Sequence, residues 1–465
     1  MEKEGGQVLM PVEAEAYVES LEYFDLKDIG SSRWFQQHER IEKLNIQAVL
    51  SASVQEDEFV KEFFINHDKV KLLIQDLLTT EVWREKVFAE ILDSDFEPKT
   101  TFPLYMVLYH EATLVNLLET IMYHRDSCET AEDFINDLVD YCYRKLCLLV
   151  SRNPGEDDFE EILKGKQDLT ASAPISSMEE LEKQEKQLNF DMCVKALSLL
   201  RYFTDHLQGL PLSVMSRILN THDVPNLLVQ LVESPPWRRR IKGSKTYKYI
   251  DSKWKEIIDE EAFQLTKTEG QVWIALFHLL MDSSCQEKYD LNSYRKNMIL
   301  KLRAHLTPIL IDQLPVLGEM LRYLEQLSMM DPPPAARTLY WNRICVLQVP
   351  EIRNSVLKKY EGKWEKLAKE QIKSFFNPSE EEIKEQARRW VDTYSFEVLE
   401  NLIAEPPKCT VCGEQATKRC SRCQNEWYCR RECQVQHWPK HKKACDLMQD
   451  SIKTKNESEN VAKSS

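Results

Sequence analysis

Glycine is the residue type that this sequence most clearly lacks, with 11 glycines in 465 residues. Average usage of roughly 7% would give about three times as many. A chain that is poor in glycine and rich in Leu, Glu, Lys and Gln favours α-helices. Its length suits two to four conventional domains, or one extended helical array with a small appendage.

Long apolar runs, a signal peptide and an excess of positive charge are also absent. The apolar run from Trp273 to Met281 is far shorter than the ~18 residues that span a bilayer, and the first residues lack the basic-then-apolar order of a signal peptide. The formal net charge is −15, which disfavours whole-chain binding to nucleic acid or anionic lipid. We therefore expect a soluble cytoplasmic protein that binds no nucleic acid and inserts into no membrane.

Cysteine is abundant but unevenly distributed along the chain. Of 13 cysteines, seven fall between Cys409 and Cys445. The other six are scattered through apolar helical patterns, where a cysteine usually acts as a small buried hydrophobe. They are Cys128, Cys142, Cys147, Cys193, Cys285 and Cys345. An odd total with a clustered set of thiols fits a reducing cytosol.

Helical periodicity dominates from about residue 40 to residue 403. Between Leu104 and His124, for example, apolar residues recur at steps of three and four along one stripe, as in a helix that faces a core. Thr130 to Val150 and Met178 to Leu207 repeat the pattern. Further helices are predicted at 270–283, 291–306, 312–329, 350–376 and 379–403.

Polar and proline-rich breaks divide the chain. The stretch Arg152 to Ser177 is too polar to bury much surface, and the run SPPWRRRIKG from Ser234 is predicted to be a solvated basic loop. Seven segments result, in which the two helical lobes can be continuous. They are an N-terminal segment 1–39, a helical lobe 40–151, a flexible loop 152–177, a second helical lobe 178–403, a hinge 404–408, a finger 409–445 and a disordered tail 446–465.

Two stretches of the sequence resemble each other, and this similarity indicates the architecture of the helical part. The stretches from His67 to Arg84 and from His222 to Arg238 share a His-Asp start, a Leu-Leu pair, a Gln and a closing Trp-Arg. Helical repeat proteins stack units that cannot bury their faces alone. We therefore predict a mostly α fold, an armadillo or HEAT-like helical array, with an irregular helical bundle as the alternative.

Eight residues between positions 409 and 445 have the spacing of metal ligands. They are Cys409, Cys412, Cys420, Cys423, Cys429, Cys433, His441 and Cys445. Tetrahedral zinc takes four sulfur or nitrogen ligands, so eight ligands predict two Zn²⁺ ions. So short a segment cannot build its own hydrophobic core, and metal binding must supply its folding free energy. Spacing alone leaves open whether the ligands pair sequentially or interleave.

This spacing resembles the MYND zinc-finger family at every ligand position. The resemblance implies interleaved pairing: Cys409, Cys412, Cys429 and Cys433 on the first zinc, and Cys420, Cys423, His441 and Cys445 on the second. It also implies that a proline-containing peptide binds along the finger's small sheet. The matching positions are Ser421, Gln434 and Trp438. Alternatively, Trp438 packs the small core and Gln434 caps a turn. His437 lies near the ligands but is predicted not to be one.

No catalytic signature accompanies the finger, and we expect no catalytic residues and no enzyme activity. Two filled tetrahedral sites leave no position for a reacting water. Some MYND proteins are lysine methyltransferases, but in those the finger interrupts a SET domain. His110-Glu111 begins a zinc-protease H-E-x-x-H motif, yet Leu114 stands in place of the second histidine. A transcriptional co-repressor adaptor remains an alternative function, with a methyltransferase as a weaker one.

The chain as a whole resembles a family of factors for the cytoplasmic preassembly of outer and inner axonemal dynein arms. The resemblance is carried by RWFQQHERIEKLNIQAVL at Arg33, TFPLYMV at Thr101, HEATLVNLLET at His110, GQVWIAL at Gly270 and KRCSRCQNEWYC at Lys418. It implies a non-enzymatic scaffold needed for ciliary motility. The implied partners are other assembly factors, chaperones and co-chaperones, with dynein chains as clients. The implied location is the cytoplasm, including centriolar satellites or the basal-body region of ciliated cells.

Overall fold

The structure is a computed structural model, and the part of the chain it describes leaves several gaps. The described residues are 8–54, 57–151, 177–240, 245–257, 262–330, 349–379, 409–412, 414, 416, 418–422, 426–439, 441–442 and 445. The chain divides into two compact units, Met1–Thr393 and Tyr394–Ser465, called here the body and the finger unit. The predicted loop 152–177, apart from Ser177, the hinge 404–408, the tail 446–465 and most of the predicted helix 379–403 lie outside the described residues.

Helices make up most of the body, as predicted. The described α-helices of its first half are α1 Pro11–Ser20, α2 Ser32–Val54, α3 Phe59–Asn66, α4 Val70–Val82, α5 Ala89–Leu92, α6 Phe102–Ile121, α7 Arg125–Thr130 and α8 Phe134–Ser151. Those of its second half are α9 Ser177–Asp205, α10 Leu212–Ser216, α11 Val224–Glu233, α12 Lys267–Met281, α13 Ser283–Lys288, α14 Ser293–Leu300, α15 Pro308–Gln313, α16 Leu317–Met329, α17 Ile352–Tyr360 and α18 Trp364–Ser374.

The long helices stack in two layers. In the first layer α2, α6, α9, α12 and α16 each pack on the next, and in the second layer α4, α8, α11 and α14 do the same. One continuous hydrophobic core runs between the layers. The apolar stripes are therefore buried by neighbouring helices, as a stacked helical array requires.

The two similar stretches of sequence occupy equivalent positions in this array. They form α4 and α11, both in the second layer. The aspartates that precede these helices, Asp68 and Asp223, both adopt a left-handed backbone, with φ of 51° and 47°, a conformation that aspartate tolerates better than most residues. The closing tryptophans, Trp83 and Trp237, are both fully buried. The shared residues thus mark a shared local structure.

Local signals explain where several helices begin and end. α12 begins with a capping box, because the Thr266 side chain accepts from the N–H of Glu269 while the Glu269 carboxylate accepts from the N–H of Thr266. The single helix predicted at 350–376 is instead two helices, α17 and α18. Between them Gly362 has a φ of 71°, which a continuous right-handed helix cannot contain.

A three-stranded antiparallel sheet interrupts the helical pattern between α11 and α12. Its strands are β1 Arg238–Arg240, β2 Thr246–Ile250 and β3 Lys253–Ile257, in the order β1-β2-β3. Tyr249 and Trp254 pack against Phe190 of α9, with ring centroids 4.8 and 5.8 Å apart. The prediction of helices almost throughout was wrong here. So was the prediction of a solvated loop at Arg238–Arg240, because these residues pair in register with β2.

The last described helices of the body return to its N-terminal end. α17 packs on α4, and α18 packs on α5. The Gln371 side chain connects the two ends: its amide oxygen accepts from the Trp83 indole N–H at 2.8 Å, and its NH₂ donates to the carbonyl of Leu26 at 2.9 Å. Residues far apart in sequence therefore hold this end of the array closed.

The N-terminal residues belong to the same body. α1 contributes Ala14 and Val18 to the core, and α2 begins at Ser32, where the Ser31 hydroxyl accepts from the N–H of Trp34. Residue 40, where the first helical lobe was expected to begin, lies inside α2. None of the described helices is long and apolar enough to cross a membrane.

Candidate metal centre

The described part of the finger unit contains two short strands and helical residues that follow them. β4 Lys418–Arg419 pairs antiparallel with β5 Trp427–Tyr428, and a helix follows at 431–439. The loop that begins at Cys409 is held against β5, because Thr410 donates its N–H to the Trp427 carbonyl at 3.0 Å. These few elements carry cysteines at their ends: Cys420 follows β4, and Cys429 follows β5.

One group of ligand atoms joins the start of the finger to the end of β5. The sulfurs of Cys409, Cys412, Cys429 and Cys433 all lie within 4.8 Å of one another. Individual separations are 3.4 Å from Cys412 to Cys429, 3.7 Å from Cys429 to Cys433 and 3.9 Å from Cys433 to Cys412. Cys433 reaches the group from the first turn of helix 431–439.

A second group joins the end of β4 to the C-terminal ligands. It contains Cys420, His441 and Cys445, all buried. The sulfurs of Cys420 and Cys445 are 3.8 Å apart, and Nε2 of His441 lies 3.4 Å from the Cys420 sulfur. Cys423, the fourth predicted member, lies outside the described residues.

Both groups fit a tetrahedral zinc ion. With zinc–sulfur bonds of about 2.3 Å, two sulfurs of a tetrahedral site lie about 3.8 Å apart, and with a zinc–nitrogen bond of about 2.0 Å a sulfur and a nitrogen lie about 3.5 Å apart. The separations above, 3.4 to 3.9 Å, match these edges.

The grouping alternates along the chain. The structure brings Cys412 beside Cys429, and it brings Cys420 beside Cys445. Cys420, which lies in the sequence between the two halves of the first group, is thus grouped with His441 and Cys445, which follow both halves. Within the described residues, no other set of three or more His, Cys, Asp or Glu side chains converges in this way.

His437 contacts the small core of the finger. Its Nδ1 lies 3.0 Å from the hydroxyl of the buried Tyr428, and its ring stacks on that of His441 at 5.6 Å. It is not among the converging ligand atoms. Its position therefore suits a residue that orients His441, on whose ring it stacks.

The three residues predicted to contact a partner lie in two neighbouring places. Ser421 is exposed in the turn after β4, while Gln434 and Trp438 are half-buried and lie four residues apart, on one face of helix 431–439. The guanidinium of Arg422 lies 5.7 Å from the Trp438 ring, which places the turn beside that face. Trp438 also packs edge-on against His441, so it contacts the core as well as the surface.

The His110-Glu111 pair of the body has other partners. Nε2 of His110 lies 3.1 Å from Asp76, and its Nδ1 lies 2.7 Å from Nδ1 of His38. The Glu111 carboxylate is held by Arg84 and Lys145. Burial alone would raise the pKa of Glu111, but these two cations outweigh it and lower the pKa to about 2. Sequence patterns gave no sign of these contacts between distant helices.

The strands, the helix and the converging thiols of the finger together indicate a class of protein, the zinc-finger proteins. The MYND finger family matches residues 409–445, so the chain is a zinc-binding MYND-finger protein with a mostly α-helical body. The zinc finger MYND domain-containing protein 10 homolog of Drosophila melanogaster is 31% identical over 461 residues, which cover 94% of this chain and 98% of that protein. The chain therefore belongs to the zinc finger MYND domain-containing protein 10 family. No solved structure is significantly similar to it.

Proposed function

We propose that this protein is a non-enzymatic adaptor for the cytoplasmic preassembly of axonemal dynein arms. The observation that carries the proposal is the similarity over almost the whole length of a family member, body and finger together. In this proposal the chain works with other assembly factors, chaperones and co-chaperones, and dynein chains are its clients. It acts in the cytoplasm, including the centriolar satellites or basal-body region.

In the same proposal the finger holds two zinc ions. The first is bound by Cys409, Cys412, Cys429 and Cys433, and the second by Cys420, Cys423, His441 and Cys445. When bound, each ion cross-links distant parts of a short segment and so stabilises its fold. Four protein ligands at each ion leave no open position for a substrate, which supports a structural role.

The surface of the finger is the proposed capture site for a proline-containing peptide. Three features support it: the exposed Ser421 turn, the half-buried Gln434 and Trp438 on one helical face, and Arg422 beside the indole. An aromatic ring that is packed on one side and open on the other suits proline, whose ring is apolar and rigid.

Affinity purification from ciliated cells tests the adaptor function. The full chain should recover dynein assembly factors and chaperones, and a chain without residues 405–465 should lose those that bind the finger. Trp438→Ala should weaken the same subset while retaining the zinc of the unaltered protein, whereas Cys420→Ser should lose zinc as well. Nuclear enrichment and recovery of chromatin proteins would instead support the co-repressor alternative.

A genetic test addresses the dynein arms themselves. Knockout cells should build axonemes without outer and inner arms, and arm subunits should be unstable in their cytoplasm. Re-expression of the full chain should restore the arms. If knockout cells build normal arms, the proposed function is wrong.

A further inference from the structure

The edge strand β1 places three arginines, Arg238–Arg240, at an open side of the body's sheet. We call this strand the arginine edge. Among the described strands β1 pairs with β2 alone, and the side chains of Arg238 and Arg240 are exposed. Neither forms an ion pair within the described part of the chain. The described residues of the sheet and its turns carry three arginines and four lysines, against one aspartate and one glutamate, in a chain whose net charge is −15.

The hydrogen-bond pattern shows which main-chain groups face outward. Tyr249 donates its N–H to the carbonyl of Trp237 at 2.9 Å, and extending the register of β1 and β2 by one residue places these two residues directly opposite each other. In an antiparallel ladder, opposite residues alternate between pairs that exchange hydrogen bonds and pairs that do not. Arg239 therefore bonds toward β2, and the N–H and carbonyl of Arg240 point to the open side.

The two outer arginines also share one face of the sheet. Residues two apart on a strand point the same way and lie about 7 Å apart. A second strand added to β1 would present its own alternate side chains to this pair. Carboxylates suit guanidinium groups especially well, because the two groups can form paired hydrogen bonds.

We propose that the arginine edge binds an extended acidic peptide by strand addition, with carboxylates at alternate positions against Arg238 and Arg240. The main-chain groups of the edge supply the hydrogen bonds and the arginines select the charge. A nucleic acid or a lipid surface would satisfy the charge but leave the outward N–H and carbonyl without strand partners. This surface lies in the body, and it is independent of the finger and of the function proposed above.

Fluorescence anisotropy with the full-length protein tests the proposal. The probe is a fluorescein-labelled (Glu-Thr)₅ peptide in 50 mM salt, compared with the same peptide N-methylated at every residue, which has the same charge but no main-chain N–H donors. We expect (Glu-Thr)₅ to bind at least tenfold more tightly. Equal affinity for the two peptides, or no binding of (Glu-Thr)₅, would overturn the proposal.

Two pairs of variants separate the contribution of the arginine charges from that of the outward main-chain N–H. R238E/R240E should weaken (Glu-Thr)₅ binding about tenfold, and K366E/K369E, which changes the net charge equally on an exposed part of α18, should weaken it less than twofold. R240P should bind more weakly than R240Q, because both lose the charge but only proline also loses the outward N–H. This second comparison decides the matter if R238E/R240E does not fold.

Other anionic ligands test whether the arginine edge binds an added strand or any polyanion. A single-stranded DNA decamer and phosphatidylserine vesicles should displace the bound peptide much less effectively than unlabelled (Glu-Thr)₅. If either displaces it equally well, the arginine edge is a general polyanion surface and strand addition is wrong. Equal loss of affinity in R238E/R240E and K366E/K369E would also refute the assignment.

Discussion

Neutralising Glu111 should destabilise the body more than any exposed charge change. Its carboxylate accepts hydrogen bonds from Arg84 at 2.7 Å, from Lys145 at 2.7 Å and from the Tyr141 hydroxyl at 3.0 Å. The side chains of Glu111 and Lys145 are 0% and 1% exposed. Glu111→Gln keeps the shape of the side chain but leaves two buried cations short of one negative charge.

Two estimates of the free energy of unfolding that Glu111→Gln would lose agree in order of magnitude. Removing one member of a buried ion pair usually costs about 3–5 kcal/mol. The pKa of Glu111 falls from 4.5 to about 2 in the folded protein, which corresponds to about 3 kcal/mol of stabilisation of the ionised form. For a body of this size, such a loss lowers the melting temperature by roughly 4–6 °C.

Thermal unfolding of the full chain at pH 7, followed by circular dichroism, measures this effect. Glu185→Gln is the matched control, because Glu185 contacts the same Arg84 at 3.2 Å but is 16% exposed, and it should shift the transition by less than half as much. Adding Lys145→Met to Glu111→Gln should recover part of the loss by removing an unpaired buried cation. Equal shifts for the two Glu→Gln variants would refute the reasoning.

Three further predictions concern zinc, backbone and pH. Metal analysis should find two zinc ions per chain and one in Cys412→Ser, while Cys147→Ser, outside the finger, should retain both. Gly30→Ala should lower the melting temperature more than Gly362→Ala: both have positive φ, but a Cβ at Gly30 would lie 2.9 Å from the Phe376 ring, and nothing lies within 4 Å at Gly362. Burial raises the pKa of Asp137 to about 6, so the folded state keeps its proton while the unfolded state loses it, and stability falls as pH rises from about 4 to 6. The free energy of unfolding of Asp137→Asn, minus that of the unaltered protein, should therefore rise over that window and stay constant above it. Urea unfolding midpoints at each pH measure this difference.

The finger was predictable because its chemistry is local and its spacing is regular. Each predicted ligand that the structure describes lies in one of the two converging groups. Spacing alone could not say which ligands share an ion, because a C-x-x-C pair is equally compatible with sequential and interleaved sites. Periodicity likewise predicted the helices of the body, since an apolar stripe needs only neighbouring residues to be recognised.

The sheet and the buried charges could not be predicted from the sequence, for different physical reasons. β1 consists of three arginines, a composition that hides the alternation by which a strand is recognised. Glu111 and its partners Arg84 and Lys145 lie on separate helices that only the fold brings together. A charged residue inside an apolar stripe then looks like a surface position, although it is buried and paired.

Body and finger are therefore stabilised by different means. The body buries a continuous apolar core between two helical layers, and the buried Glu111 pairs with Arg84 and Lys145. In the finger, the buried cluster consists of four cysteines with Ala416 and Tyr428, so the groups that would normally form a hydrophobic core are mostly the ligands themselves. Loss of metal would remove the ions that these thiols are proposed to share, whereas none of the ligands belongs to the apolar core of the body. We therefore expect removal of zinc by a chelator to disrupt the finger surface around Trp438 and to leave peptide binding at the arginine edge unchanged.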